Sequence, residues 1–171
     1  ETLISAIGQG FVLTNPLQLV VMTSIIASNG KLIQPTILKT NISNFKTSNK
    51  YSKEIKIIKK AMYKVVNENK GTAFKSRLED VKFAGKTGTS QVRRITLSER
   101  ESDDFRKKEL EWEKRDHALF VGYMPYDDPK FAISVIIEHG GSGASTAAPI
   151  AKQVFNYINK LELWFLKKLK I

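Results

Sequence analysis

The sequence predicts an α/β (α+β) domain in which helices flank an antiparallel β-sheet. Residues 118–124 are apolar, residues 131–138 are rich in β-branched residues, and the turn between them is rich in Pro and Asp, which is typical of a β-hairpin. Three other segments carry apolar residues at helical spacing, two before the hairpin and one after it. With 171 residues, 42% of them hydrophobic and 26% charged, the chain is long enough for one domain with a buried core.

The first 52 residues predict one helix between irregular segments. Residues 1–15 are rich in turn-forming residues, and Pro16 suits the first turn of a helix that Asn29-Gly30 ends. Residues 33–38 predict a short extended segment, and residues 40–52 predict a polar loop.

A second helix and a strand follow. The helix is amphipathic, with Ile55, Ile58, Met62, Val65 and Val66 on its apolar side. A short helical turn begins at Gly71, and residues 81–92 alternate well enough to predict a strand despite two glycines.

The rest of the chain predicts a charged insertion at residues 93–117, then the hairpin and a last helix. That helix begins near Pro149, with its larger apolar residues along one face: Ile150, Val154, Ile158, Leu161 and Phe165. The insertion is interpreted either as a lid or docking element or as a solvated hairpin or loose helix. The tail at residues 161–171 either extends the helix and packs on the sheet or touches a membrane surface.

Composition excludes several classes of function. The sequence has no cysteine, so disulfides, thiolate metal sites and a cysteine nucleophile are excluded, and its two histidines are not spaced as metal ligands. No apolar run approaches the roughly 20 residues that a membrane-spanning helix needs. The net charge of +11 comes mainly from scattered lysines, whereas base-reading proteins favour clustered Arg and aromatic residues. We therefore expect no nucleic-acid partner.

The predicted strand contains the chain's most informative motif, Lys86-Thr87-Gly88-Thr89-Ser90-Gln91. Gly85 and Gly88 bracket the lysine and let another backbone approach, so the strand is interpreted as a sheet edge that accepts an extended peptide. Alternation places Thr87 and Thr89 on one side, where two hydroxyls can bind a carboxylate, and Lys86 supplies positive charge. On its own, a Lys-Thr-Gly triplet is a weak signal.

The surrounding sequence makes the motif specific. Lys-Thr-Gly is one of three signature motifs of penicillin-binding proteins and class A β-lactamases, together with Ser-x-x-Lys and Ser-Asp-Asn. The chain resembles the C-terminal part of class B penicillin-binding proteins of the elongation (penicillin-binding protein 2) type. The resemblance covers residues 4–158 and rests on these segments: Ile7-Gly8-Gln9-Gly10, Thr14-Asn15-Pro16-Leu17-Gln18, residues 84–92, residues 116–129, Ile136-Ile137-Glu138-His139-Gly140-Gly141 and Ala147-Ala148-Pro149-Ile150-Ala151.

The resemblance implies the penicillin-binding transpeptidase (serine β-lactamase-like) fold and a role in peptidoglycan cross-linking through a serine acyl-enzyme, which β-lactams block. It implies that Lys86 provides positive potential, that the Thr87 and Thr89 hydroxyls bind the substrate carboxylate, and that the Thr89 backbone N–H is an oxyanion donor. Gly88 leaves room for the ligand, and Ser90 and Gln91 continue the substrate-binding strand. No metal and no organic cofactor are implied.

Two of the three signature motifs are missing. Ser43-Asn44-Phe45-Lys46 matches Ser-x-x-Lys literally but lies in the predicted polar loop, where the two side chains are not aligned on a helical turn. Thr47-Ser48-Asn49 is the nearest match to Ser-x-Asn and begins with threonine. We therefore expect residues 1–171 to be the C-terminal portion of a transpeptidase domain and to be inactive alone. The nucleophile and a membrane anchor are expected upstream.

The implied partners of the whole protein are peptidoglycan stem peptides, β-lactams, the upstream part of the same protein, a glycan polymerase and a scaffold protein. The implied location is the periplasmic face of the bacterial cytoplasmic membrane. Two other functions remain open: a β-lactam sensor or β-lactamase, and a non-catalytic module that binds cell-wall peptide.

Overall fold

A computed structural model describes residues 2–6, 8–10, 12–38, 46–48, 50–93 and 110–168. Within these residues it contains four α-helices and three β-strands: α1 (Thr2–Ala6), α2 (Pro16–Ala27), α3 (Ser52–Asn67), β1 (Ala84–Ser90), β2 (His117–Met124), β3 (Phe131–Ile137) and α4 (Ala148–Lys168). Short 3₁₀ turns occupy Phe74–Ser76 and Trp112–Lys114, and one π-helical turn, Gly143–Ala147, leads into α4.

The strands form one antiparallel sheet in the order β1-β2-β3. The predicted class, an antiparallel sheet flanked by helices, is therefore confirmed. The predicted hairpin is also confirmed, because β2 and β3 pair from Ala118 with Ile137 to Met124 with Phe131. The turn is closed by a hydrogen bond from the backbone N–H of Lys130 to the carbonyl oxygen of Met124 at 3.0 Å.

One face of the sheet, here called the α4 face, packs against α4 and the π-helical turn. Phe83 and Phe120 meet Phe155 of α4 in the larger core, where all three rings are fully buried. The Phe83 and Phe155 ring centroids lie 5.1 Å apart. Ala148 and Ala151 are also fully buried, so small side chains let α4 approach the sheet closely.

The opposite face, here called the α2–α3 face, is covered by α2 and α3. Ala84 and Tyr123 of the sheet pack with Ala27 of α2 and Met62 of α3 in a smaller core. Between the two helices lies an apolar cavity of about 320 Å³, with Lys86 and Val121 among its lining residues.

Local signals explain the bounds of α2. Asn15 accepts a hydrogen bond from the backbone N–H of Gln18, and the Gln18 side chain accepts one from Asn15, which together form a capping box. Asn29 and Gly30, at φ 59° and 91°, adopt the left-handed conformation that ends the helix.

A lysine of α3 fixes the C-terminal end of α2. The Lys59 ammonium donates to the Ala27 carbonyl oxygen at 2.8 Å and to Asn29 Oδ1 at 2.9 Å. Burial lowers the pKa of Lys59 from its ordinary value. Burial, reinforced by Tyr126 and Asp127, raises the pKa of the nearby Tyr123 phenol.

Three details differ from the sequence expectations. The turn-rich entry contains the short helix α1. The strand predicted at residues 81–92 is limited to Ala84–Ser90, because pairing with β2 ends at Ser90 and His117. On α4, the more hydrophobic predicted face does not form the main contact: Ile150, Val154 and Leu161 are 36%, 39% and 40% exposed, and Ile158 alone joins the core among the members of that face whose side chains are described.

Other predicted segments lie wholly or partly outside the described residues. They are residues 40–45 and Asn49 of the polar loop, residues 94–109 of the charged insertion, residues 169–171 of the tail and the Trp164 and Phe165 side chains. Among the helices that are described, none combines the length and apolar character needed to cross a bilayer.

Candidate active site

The Lys-Thr-Gly motif lies in the middle of β1, at one edge of the sheet. β1 pairs with β2 on one side only, with Lys86 opposite Val121, Thr87 opposite Phe120 and Gly88 opposite Leu119. Lys86 and Thr89 are exposed, whereas Thr87 is half-buried. The expectation of an edge strand is therefore confirmed within the part of the chain that is described.

The glycines of this region serve different purposes. A Cβ at Gly85 would lie 2.2 Å from the Phe120 ring and 2.7 Å from the Val121 carbonyl oxygen, so Gly85 makes room for β2 and not for a ligand. A Cβ at Gly88 would meet only the Leu119 Cβ, at 3.3 Å. At Gly143, a Cβ would lie 2.3 Å from the Gly88 carbonyl oxygen and 2.4 Å from that of Leu119. Gly143 thus lets the π-helical turn sit against the backbones of β1 and β2.

The backbone of Thr89 faces the free edge of the sheet. Gln9, in the segment after α1, donates from Nε2 to the Thr89 carbonyl oxygen at 3.2 Å. In an antiparallel strand, the N–H and C=O of one residue point to the same side. The Thr89 N–H therefore also points away from β2, which is the orientation that an oxyanion donor on this edge requires.

Lys86 reaches the same edge from the other face of the strand. Strand alternation places Lys86 on the α2–α3 face with Ala84, and Thr87 and Thr89 on the α4 face. The Lys86 ammonium bends to the edge, where it donates to the Thr87 carbonyl oxygen at 2.6 Å. Positive charge and two hydroxyl groups are thus brought together along one free edge.

The Thr87 hydroxyl has a partner that the motif does not include. Thr72, in the loop between α3 and β1, lies with its Oγ1 2.8 Å from Thr87 Oγ1. This contact holds the Thr87 side chain in one orientation beside the exposed edge.

Ser90 and Gln91 lie at the end of the site. Ser90 is the last residue of β1 and pairs with His117, whereas Gln91 follows the strand; both are exposed. The next residue, Val92, donates its backbone N–H to Asp116 Oδ1 at 3.3 Å. Ser90 is therefore the last paired position, and Gln91 follows after the ladder with β2 has ended.

The two histidines form a cluster beside this end of the sheet. His139 donates its backbone N–H to His117 Nδ1 at 2.9 Å, and its ring Nδ1 lies 3.0 Å from the Arg115 carbonyl oxygen. Trp112 packs on His139, with ring centroids 4.4 Å apart. The cluster ties the segment before β2 to the turn after β3, where His139 has φ 53°.

Three contributors to this site were not assigned a role from the sequence. Gln9 belongs to a segment that marks the family resemblance, but its contact with Thr89 spans 80 residues. Thr72 and Gly143 belong to no motif of the site. Ser43, which begins the literal Ser-x-x-Lys match and is not expected to be the nucleophile, lies outside the described residues.

Comparison with known proteins agrees with this geometry. Residues 1–156 match the family model "Penicillin binding protein transpeptidase domain". A curated relative, peptidoglycan D,D-transpeptidase MrdA of Haemophilus influenzae, is 34% identical over 92% of this chain, which corresponds to 25% of the relative. The chain thus spans about a quarter of the length of that relative.

Solved structures give the same result. A complex of penicillin-binding protein 2 (PBP2) and MreC from Helicobacter pylori matches with a TM-score of 0.78 and 33% identity, over 94% of this chain and 27% of the matched chain. Pseudomonas aeruginosa PBP2, solved with WCK 5153, matches with a TM-score of 0.63 and 32% identity, over 91% and 32% of the two chains. The chain therefore belongs to the penicillin-binding protein transpeptidase domain family, and its relatives include MrdA and PBP2 proteins.

Proposed function

We propose that this chain forms one wall of the active site of a peptidoglycan D,D-transpeptidase, the wall that binds the carboxylate end of a stem peptide. The observation that carries the proposal is the free edge of β1. There the Thr89 carbonyl oxygen accepts from Gln9, so the Thr89 N–H points away from β2. An extended peptide added to this edge would align its backbone with the strand.

In the proposed reaction, a serine outside the described residues attacks the carbonyl carbon of the D-Ala–D-Ala amide. The terminal D-Ala leaves as an amine, having taken up a proton, and the rest of the stem peptide remains as a serine ester. An amine of a neighbouring stem peptide then attacks the ester, which forms the cross-link and releases the serine. We expect the Ser-x-x-Lys and Ser-x-Asn motifs upstream, because the MrdA relative is about four times as long as this chain.

Each site residue has a proposed role. The Thr89 N–H is one oxyanion donor, and the Thr87 and Thr89 hydroxyls donate to the terminal carboxylate. Lys86 supplies positive potential at the edge, which its contact with the Thr87 carbonyl oxygen favours. Gly88, Ser90 and Gln91 continue the surface along which the peptide lies. A β-lactam carries a carboxylate and an acylating carbonyl, so it occupies the same edge.

The proposed partners follow from the same assignment. The whole protein acts on peptidoglycan stem peptides at the periplasmic face of the cytoplasmic membrane, held by an upstream anchor. The H. pylori PBP2 was solved in complex with MreC, which favours a protein partner for this chain as well. A scaffold protein and a glycan polymerase are the partners that we propose.

Intact mass spectrometry after incubation with benzylpenicillin tests the proposal. The protein extended upstream to include a Ser-x-x-Lys motif is expected to gain the mass of one penicillin, and residues 1–171 alone are expected to gain none. A Ser→Ala change in the upstream motif is the matched control and should abolish the adduct. If the extended protein forms no adduct, the chain is better explained as a non-catalytic module that binds cell-wall peptide.

A further inference from the structure

Thr72 lies beside the proposed carboxylate site but belongs to none of its motifs. Its Oγ1 is 2.8 Å from Thr87 Oγ1, a distance at which one hydroxyl donates to the other. We propose that Thr72 is a positioning residue, which orients the Thr87 hydroxyl so that its proton points at the carboxylate of the ligand. The proposal rests on the proposed function, because it assigns Thr87 to carboxylate binding.

The backbone around Thr72 is held firmly enough for such a role. Gly71 packs against the C-terminal end of α3 so closely that a Cβ there would lie 2.2 Å from the Val65 carbonyl oxygen. On the other side, Ala73 is 1% exposed and donates its backbone N–H to the same carbonyl oxygen at 3.0 Å. The Thr72 hydroxyl is therefore presented to β1 from a fixed loop, not from a freely moving one.

The direction of the hydrogen bond follows from the ligand. A hydroxyl group has one proton to donate and two lone pairs, whereas an ionised carboxylate only accepts. When Thr87 donates its proton to a carboxylate, it has none left for Thr72, so Thr72 must donate to Thr87. The result is a chain of two hydrogen bonds, Thr72 to Thr87 to ligand, in which each bond polarises the next.

The first test replaces Thr72 in the upstream-extended protein. Thr72→Val removes the donor and keeps the branched shape, whereas Thr72→Ser keeps the donor. Acylation rates are measured with benzylpenicillin and with its methyl ester, which lacks the negative carboxylate. We expect Thr72→Val to slow acylation by the free acid about 5- to 10-fold, as for one lost hydrogen bond, and to leave the ester rate within about twofold. Thr72→Ser should behave like the parent protein.

A double substitution separates positioning from a general effect on the fold. Thr87→Val should remove most of the preference for the free acid, and Thr72→Val added to it should change the rate by less than about twofold, because the two residues act through one bond. Equal slowing of both probes by Thr72→Val, no slowing of either, or full additivity with Thr87→Val would each overturn the proposal while leaving the proposed function intact. Failure of the parent protein to form any adduct would overturn both.

Discussion

The two faces of the sheet differ in how completely this chain covers them, and β2 shows the difference within one strand. On the α4 face, Ala118, Phe120 and Met124 are all fully buried. On the α2–α3 face, Tyr123 is fully buried, but Leu119 and Val121 are only half-buried. The first face is filled by the chain's own last helix, whereas the second retains an apolar cavity of about 320 Å³.

This difference affects the candidate active site, because Lys86 lines the cavity on the α2–α3 face and Thr87 lies on the α4 face. The α4 face gives β1 rigid support, whereas the α2–α3 face has space that the described residues leave unfilled. Added bulk should therefore lower the free energy of unfolding much more on the α4 face than on the α2–α3 face.

The same substitution on two helices gives the largest contrast. Ala151 of α4 is fully buried, so Ala151→Leu should lower the free energy of unfolding by about 3 kcal/mol through overpacking. Ala61 of α3 is exposed and lines the cavity, so Ala61→Leu should change the free energy of unfolding by less than about 0.5 kcal/mol. Urea denaturation measures both. Similar losses in the two variants would contradict the contrast.

Gly143 tests how tightly the π-helical turn rests on the sheet. A Cβ there would lie 2.3 Å from the Gly88 carbonyl oxygen and 2.4 Å from that of Leu119, and neither backbone atom can move freely. Gly143→Ala should therefore cost about 2–3 kcal/mol of unfolding free energy. Gly141→Ala is the matched control: φ is 78° but no atom lies within 4 Å, so only about 1 kcal/mol is expected. A smaller loss at Gly143 than at Gly141 would refute this packing.

Lys59 tests the link between the helices of the α2–α3 face. Lys59→Met removes the hydrogen bonds to Ala27 and Asn29, and we expect a loss of about 1–2 kcal/mol in unfolding free energy. Lys60→Met, at the next and exposed position, should change it by less than about 0.5 kcal/mol. Equal effects would mean that the end of α2 does not depend on Lys59.

Tyr123 gives the smallest effect, and the size of that effect depends on pH. The folded state raises the phenol pKa, so on raising the pH the unfolded chain loses its proton first, and stability falls above about pH 10. The phenol oxygen has no hydrogen-bond partner among the described residues. Tyr123→Phe should therefore raise the unfolding free energy by up to about 1 kcal/mol at neutral pH, and by more above pH 10. Melting temperatures at pH 8 and 10.5 check this; a constant difference between the two proteins would contradict the pKa shift.

The sequence predicts those parts of the fold that local chemistry determines. The Pro- and Asp-rich turn specifies the hairpin, and Pro16 and Asn29-Gly30 specify the ends of α2. The buried face of α4 is not predicted, because the contact is made by Ala148, Ala151 and Phe155 and not by the larger aliphatic residues. Periodicity locates an apolar face, but it does not show how closely the sheet approaches.

Some features of the candidate active site are also predicted by the sequence, and others are not. Alternation along β1 predicts the side on which Thr87 and Thr89 lie, and the two glycines indicate an edge strand. The reason inferred for Gly85 is wrong, since that residue accommodates Phe120 of the neighbouring strand. Gln9 and Thr72 could not be assigned, because their contacts join residues 80 and 15 positions apart and depend on the tertiary fold.

The Thr89 N–H at the free edge of β1 is the group through which we propose that ligands bind. The most direct test compares acylation by benzylpenicillin in two variants of the upstream-extended protein, Thr89→Pro and Thr89→Val. Both lose the hydroxyl, but only proline loses the N–H, and an edge strand tolerates proline where that N–H faces away from its neighbour. If the two variants have similar melting temperatures, we predict that the Thr89→Pro protein is acylated about 10²–10³ times more slowly than the Thr89→Val protein. Equal acylation rates would mean that the Thr89 N–H takes no part in the reaction.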